Sequence, residues 1–104
     1  MYKIGFYVPE SHLEQVKQAM FVAGAGKIGH YEQCSWQVKG LGQFKPMSGS
    51  HAFIGEVGKI ETLEEYRVEM VCEADKIQQV VIALKQAHPY ETPAYDVVKI
   101  EIFE

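Results

Sequence analysis

The chain has 104 residues, of which 47% are hydrophobic and 23% charged, with a formal net charge of -4. That length suits one domain, residues 1–104, with an ordinary core. No basic stripe points to nucleic acid, no apolar run approaches the ~18 residues of a membrane span, and MYKIGFYVPE does not read as a secretory leader, so the composition fits a cytoplasmic protein in which Cys34 and Cys72 are reduced thiols.

Residues 2–8, YKIGFYV, set Tyr2, Ile4, Phe6 and Val8 against Lys3, Gly5 and Tyr7, the period of a half-buried strand. Ser11 and Glu14 form a capping-box pattern ahead of Leu13, Val16, Met20 and Ala23, which recur at helical spacing. Gly24 or Gly26 then supplies the helix C-cap, where positive φ is needed. A second strand is expected over YEQCSWQV, residues 31–38, with Cys34, Trp36 and Val38 on one face. Residues 40–58 hold five of the nine glycines and form a long excursion with short ladder segments. In EEYRVEMVC, residues 64–72, Tyr66, Val68, Met70 and Cys72 alternate with Glu65, Arg67 and Glu69. Asp75 is placed to cap a second helix with the stripe Ile77, Val80, Val81 and Leu84, and His88-Pro89 stops it. The last strand is YDVVKIEIF, residues 95–103.

The order β-α-β-β-α-β predicts an α+β, ferredoxin-like sandwich: a four-stranded antiparallel sheet with two helices on one face. The expected inward set is Ile4, Phe6, Val8, Trp36, Val38, Val68, Met70, Val98, Ile100 and Ile102. Tyr7, Tyr31, Tyr95 and Phe103 then fall on the opposite face with Lys3, Arg67, Glu69, Lys99 and Glu101, a mixed aromatic and charged surface of the kind that forms interfaces.

GAGKIG, Gly24 to Gly29, spells the dinucleotide fingerprint G-x-G-x-x-G. That fingerprint needs strand, glycine turn and then helix, so that the helix amino end faces the pyrophosphate. Here a helix precedes the glycines, and its carbonyl end repels anions. The glycines therefore read as cap and turn; Lys27, with the backbone N–H groups of the 24–29 turn, leaves a lesser option of a small anion site. His88, Glu91 and Asp96 bracket Pro89 and Pro93 with ligand types that suit a divalent ion. The competing reading is a rigid turn with His88 packed at a helix end. His30 and Cys34 lie roughly 13 Å apart if extended, too far to share an ion. No nucleophile–base–acid set can be assigned, so no catalytic residue is named.

GAGKIGHYEQCSW, GLGQFKPMSGSHAFIGEVG, EYRVEMV and AHPYETPAYDV together resemble the inserted domain of the YqfO-type, NGG-interacting-factor-three-like family. The resemblance implies a CutA/PII-like, ferredoxin-like fold and a homo-oligomer, usually a trimer. The larger metal-bearing domain of the longer family members has no counterpart in this sequence, so their hydrolase-like activity is not expected to carry over. The leading reading is a non-enzymatic oligomeric PII/CutA-like module that binds a small ligand or metal ion, or regulates a partner protein. A scaffold without ligand, and a small enzyme with an inter-subunit site, are the alternatives. The expected site is a cleft between subunits edged by the 24–30 turn, the 40–58 loop and the HPYETP turn. His30, His88 and Glu91 are its candidate ligands for a divalent metal or an anion, with Gly24, Gly26, Lys27 and Gly29 as turn residues; no nucleic acid or membrane partner is expected.

Overall fold

The computed structural model describes residues 1–103 and has the expected order: β1 Tyr2–Val8, α1 Leu13–Ala23, β2 Trp36–Phe44, β3 Glu61–Cys72, α2 Ile77–Ala87 and β4 Tyr95–Lys99. The four strands form one antiparallel sheet in the order β2-β3-β1-β4. Both helices lie on one face and pack against each other. Ile4, Phe6 and Val8 from β1 and Val68, Met70 and Cys72 from β3 meet Val16 and Met20 of α1 and Val80 and Leu84 of α2 in a single core. No described helix is long and apolar enough to cross a membrane.

α1 ends as its glycines require. Gly24, at φ +120°, sends its N–H to carbonyls of the last turn, and the Ala25 N–H also returns to Met20. Gly26, at φ +82°, donates to the Val71 carbonyl at 2.8 Å and accepts from the Cys34 N–H at 2.8 Å, fastening the turn to the end of β3. The start of α1 differs from the capping-box expectation. A short 3-10 turn, Glu10–His12, precedes the helix, His12 takes the N-cap position without a side-chain bond, and the Ser11 hydroxyl pairs with His12 Nδ1 at 2.9 Å. Likewise Lys76, and not Asp75, stands at the N-cap of α2.

Two strands depart from the expected faces. β2 begins at Trp36 and continues through Phe44, whereas residues 31–35 stay out of the ladder. Its register pairs Trp36 with Glu69 and Val38 with Arg67, so Trp36 and Val38 face away from the helices; they are 59% and 47% exposed. Alternation identifies which side chains share a face, but not which face the helices cover. β4 pairs Tyr95 with Phe6 and Val97 with Ile4, which turns Tyr95 toward the helices and Val98 away from them. The Lys85 ammonium of α2 accordingly sits 5.5 Å from the Tyr95 ring. β4 stops at Lys99 because β1 starts at Tyr2 and offers no further partner; one bond, Ile100 N–H to Met1, continues the ladder. Ile102 and Phe103 are exposed.

β3 outruns β1. Only Tyr66 to Cys72 pair with β1, so Glu61 to Glu65 and their β2 partners project as a two-stranded ribbon. The loop between them, residues 45–60, is closed at its base by the Gly58 N–H to the Pro46 carbonyl.

A Cβ at Gly26 would come within 3.0 Å of the Phe21 ring and the Cys34 carbonyl in a backbone conformation that L residues avoid. Gly26→Ala is expected to cost about 1–3 kcal/mol. Ser11→Ala, which loses no cap, should stay within about 0.5 kcal/mol of wild type, and Gly40→Ala, at ordinary φ in open space inside a strand, should be neutral or stabilising by up to about 1 kcal/mol. Urea midpoints of the three variants check the ranking.

Candidate functional site

The candidate residues occupy two ends of the molecule. His30, Lys27 and Gly29 are exposed in the tight turn closed by the Ile28–Tyr31 bridge. That turn hangs from α1 and from Val71, which lies opposite Lys3 in the register. The HPYETP turn lies beside Tyr7, at the other end of β1. Within one chain the structure therefore brings the 45–60 loop and the HPYETP turn together and leaves the 24–30 turn apart.

His88 closes α2 and is 6% exposed. Its Nε2 lies 2.6 Å from the Tyr7 carbonyl, and its Nδ1 accepts the Tyr90 N–H at 3.1 Å. This pattern selects the neutral tautomer with the proton on Nε2. Burial outweighs the pull of the Tyr7 carbonyl and pushes the imidazole below its ordinary range. Both nitrogens are engaged within the chain, so in this arrangement His88 orients the turn and has no lone pair left for an ion. Glu91 is exposed and accepts the His51 N–H at 3.0 Å, tying the loop to the turn. Among the described residues no three His, Cys, Asp or Glu side chains come together as a metal-holding group. Cys34 and Cys72 are free thiols.

Above the turn, Tyr90 packs among His88, Phe44 and Phe53, with Phe53 meeting His12 edge-on at 5.5 Å. Its hydroxyl donates to Glu65 at 2.7 Å. Burial, reinforced by that carboxylate, pushes the phenol well above its ordinary range and keeps it a donor. Glu65 pairs with Gly40 in the ladder and leans diagonally over Gly42, which has no Cβ; any larger residue at position 42 would collide with the carboxylate. Arg67, on the same face, bonds Asp96 through both terminal nitrogens at 3.3 and 3.4 Å, lies 3.4 Å from Glu69, and sits 5.1 Å over the Tyr7 ring.

Together these groups enclose a groove of about 520 Å³ on the outer sheet face. Its floor is β2 from Val38 to Phe44, its walls are Ser50 to Ile54 and Tyr90 to Ala94, and Glu65, Arg67 and Glu91 supply its charge. Sequence reasoning named Glu91 from this set, and missed Glu65, Tyr90, Gly40 and Gly42. The available signal was Gly40-Leu41-Gly42, two glycines at strand period, which reads as loop when strand and loop are not separated.

No family model matches the chain. GTP cyclohydrolase 1 type 2 homologs of Halalkalibacterium halodurans and Mycobacterium leprae are 44% and 48% identical to it over 96 and 91 residues, which is 92% and 88% of this chain and 26% and 24% of theirs. A Bacillus cereus protein related to NIF3 superposes with a TM-score of 0.83 at 38% identity, over 97% of this chain and 26% of that one. The chain is homologous to one segment of the NIF3-type proteins. It spans about a quarter of the length of the curated relatives it matches. CutA of Archaeoglobus fulgidus, a periplasmic divalent cation tolerance protein, shares the fold over 100% of this chain and 88% of its own, with a TM-score of 0.70 at 20% identity. A PII-like protein CutA from Nostoc gives 0.64 at 15%. The expected CutA/PII-like, ferredoxin-like fold is thereby borne out.

The lowered His88 pKa has a defined sign. The unfolded chain takes up a proton at the ordinary value near ~6.5 before the folded chain does, so this contribution is complete above that pH and is lost as pH falls below it. His88→Ala should lower stability at pH 7.5 by about 1–3 kcal/mol, since the Tyr7 carbonyl and Tyr90 N–H lose their partner, and should flatten the decline in acid. Denaturation midpoints of both proteins between pH 4.5 and 7.5 test both effects.

Proposed function

We propose that this chain is a homo-oligomeric, non-enzymatic PII/CutA-like module that binds a small ligand at the outer-face groove. The groove carries the reading. At about 520 Å³ it falls within the usual size of small-molecule sites, and the loop and turn that edge it are held by named bonds. Its lining contains no histidine or cysteine, and its carboxylates are engaged with Tyr90 and with the His51 N–H, so no activated nucleophile stands ready there.

Assembly follows from the outer face. Trp36 and Val98 are exposed apolar side chains of the outer face, beside Glu69 and Lys3 and away from the Gly40–Gly42 strip. An apolar and aromatic surface with a committed charge network suits a self-interface. Three copies are favoured, in keeping with the family resemblance, and a neighbouring copy would bring its 24–30 turn, with His30 and Lys27, toward this chain's loop and HPYETP turn. The CutA likeness makes a divalent ion at that junction a further proposal, with His30 and Glu91 as its ligands.

A native mass spectrum at micromolar concentration is expected to show about three times 11.8 kDa. A monomer mass would remove the oligomer. Zn²⁺ titrated into wild type should bind more tightly than into His30→Ala, and equal binding would remove the metal.

A further inference from the structure

We propose that the groove over Gly40 and Gly42 receives a flat, positively charged ring bearing N–H donors, which it binds through Glu65. The proposal rests on the reading of the groove as a ligand site, and specifies which chemistry it takes.

Gly40 is the first observation. It sits inside β2, where glycine costs about 0.5–1 kcal/mol relative to alanine. Its φ lies outside the left-handed region, and a Cβ built on it meets nothing within 4 Å. Neither backbone conformation nor packing within the chain calls for glycine there. Gly42 is different, because Glu65 fills its space. The pair thus leaves a bare strip of backbone beside a carboxylate, with Phe44, Phe53 and Tyr90 around it. A strip without side chains, bordered by rings, fits a planar group better than a branched one.

The polar content fixes the charge. Glu65 uses Oε2 for the Tyr90 hydroxyl and holds Oε1 over Gly42. Among the described residues Arg67 is the one cation lining the groove, and its guanidinium is already bonded to Asp96 and Glu69 and laid over Tyr7. The Ser50 hydroxyl lines the groove, buried and without a hydrogen-bond partner among the described residues. Glu65 and Glu91 thus outnumber the committed Arg67 in the groove, and a half-buried carboxylate favours an N–H-bearing cation while repelling carboxylates and phosphates. Tyr90 stays protonated, as its raised phenol requires, and keeps Glu65 as an acceptor toward the groove.

The test titrates benzamidine, a flat cation whose N–H pair matches a carboxylate, into the full chain, with benzoate and inorganic phosphate as anionic controls. Amide NMR spectra report the site and light scattering reports the mass of the same samples. Saturable benzamidine binding with shifts at the Gly40 and Gly42 amides is expected. Benzoate and phosphate should leave those amides unmoved. Glu65→Gln keeps an acceptor for Tyr90 and removes the charge, and should weaken benzamidine at least tenfold. Gly40→Leu fills the strip and should abolish binding with the assembly mass unchanged. Absence of benzamidine binding, equal affinity in Glu65→Gln, or equal binding of benzoate would overturn the proposal. So would a Gly40→Leu variant that falls apart into smaller species yet still binds benzamidine, because the strip would then be a subunit contact. A monomer that binds benzamidine at Gly40 would leave this inference standing and remove the oligomeric reading alone.

Discussion

β1 is paired along both edges, with β3 on one side and β4 on the other, and its alternation decides which side chains can meet. Ile4, Phe6 and Val8 point to the helices and are wholly buried. Tyr7 points the other way and lends its ring to Arg67, while its carbonyl, in the plane of the sheet, takes the buried His88. The core thus occupies one face of this seven-residue strand, and the other face sends Tyr7 to the rim of the groove. A shift of one residue in its register would exchange them.

The same logic explains what the sequence disclosed. β1 and β3 were legible because each sets apolar residues against charged or small ones, so the buried face identifies itself. α1 and α2 were legible from their stripes. Trp36 and Val38 were misplaced because β2, an edge strand, carries its large apolar residues on the face away from the helices and sets Gln37 and Lys39 beneath them; Lys17 of α1 even reaches Gln37 at 2.9 Å. β4 misled in a similar way, since Tyr95, Val97 and Val98 offer apolar residues to both faces. The capping-box pattern at Ser11 failed because a 3-10 turn delayed the helix and left the hydroxyl beside His12.

Of the candidate site, the HPYETP turn was legible as a rigid, chemically rich segment, and its convergence with the long loop is real. What each residue does there was not. His88 was read both as a ligand and as a residue packed at a helix end, and its two nitrogens bond Tyr7 and Tyr90. Glu65 read as one of the charged residues alternating along β3 and is the acceptor of Tyr90. Such roles come from contacts between positions 25 residues or more apart, which local pattern does not carry. The relatives share nearly all of this unit, which makes up about a quarter of their length.

The projecting ribbon has a mechanical consequence. Two strands without a third are marginal in water, and here the outer five residues of β3 have only β2 beside them. What steadies them comes from the other end of the sequence: the Tyr90 hydroxyl on Glu65, the Phe53 and Phe44 rings on Tyr90, and the His51 N–H on Glu91. The ribbon and the turn after α2 therefore brace each other, and His88 and Ala94 tie the turn to Tyr7 of β1. A molecule lodged between them would act as a splint, so that occupancy at the sheet surface becomes rigidity at the tip of the hairpin, where another protein could feel it.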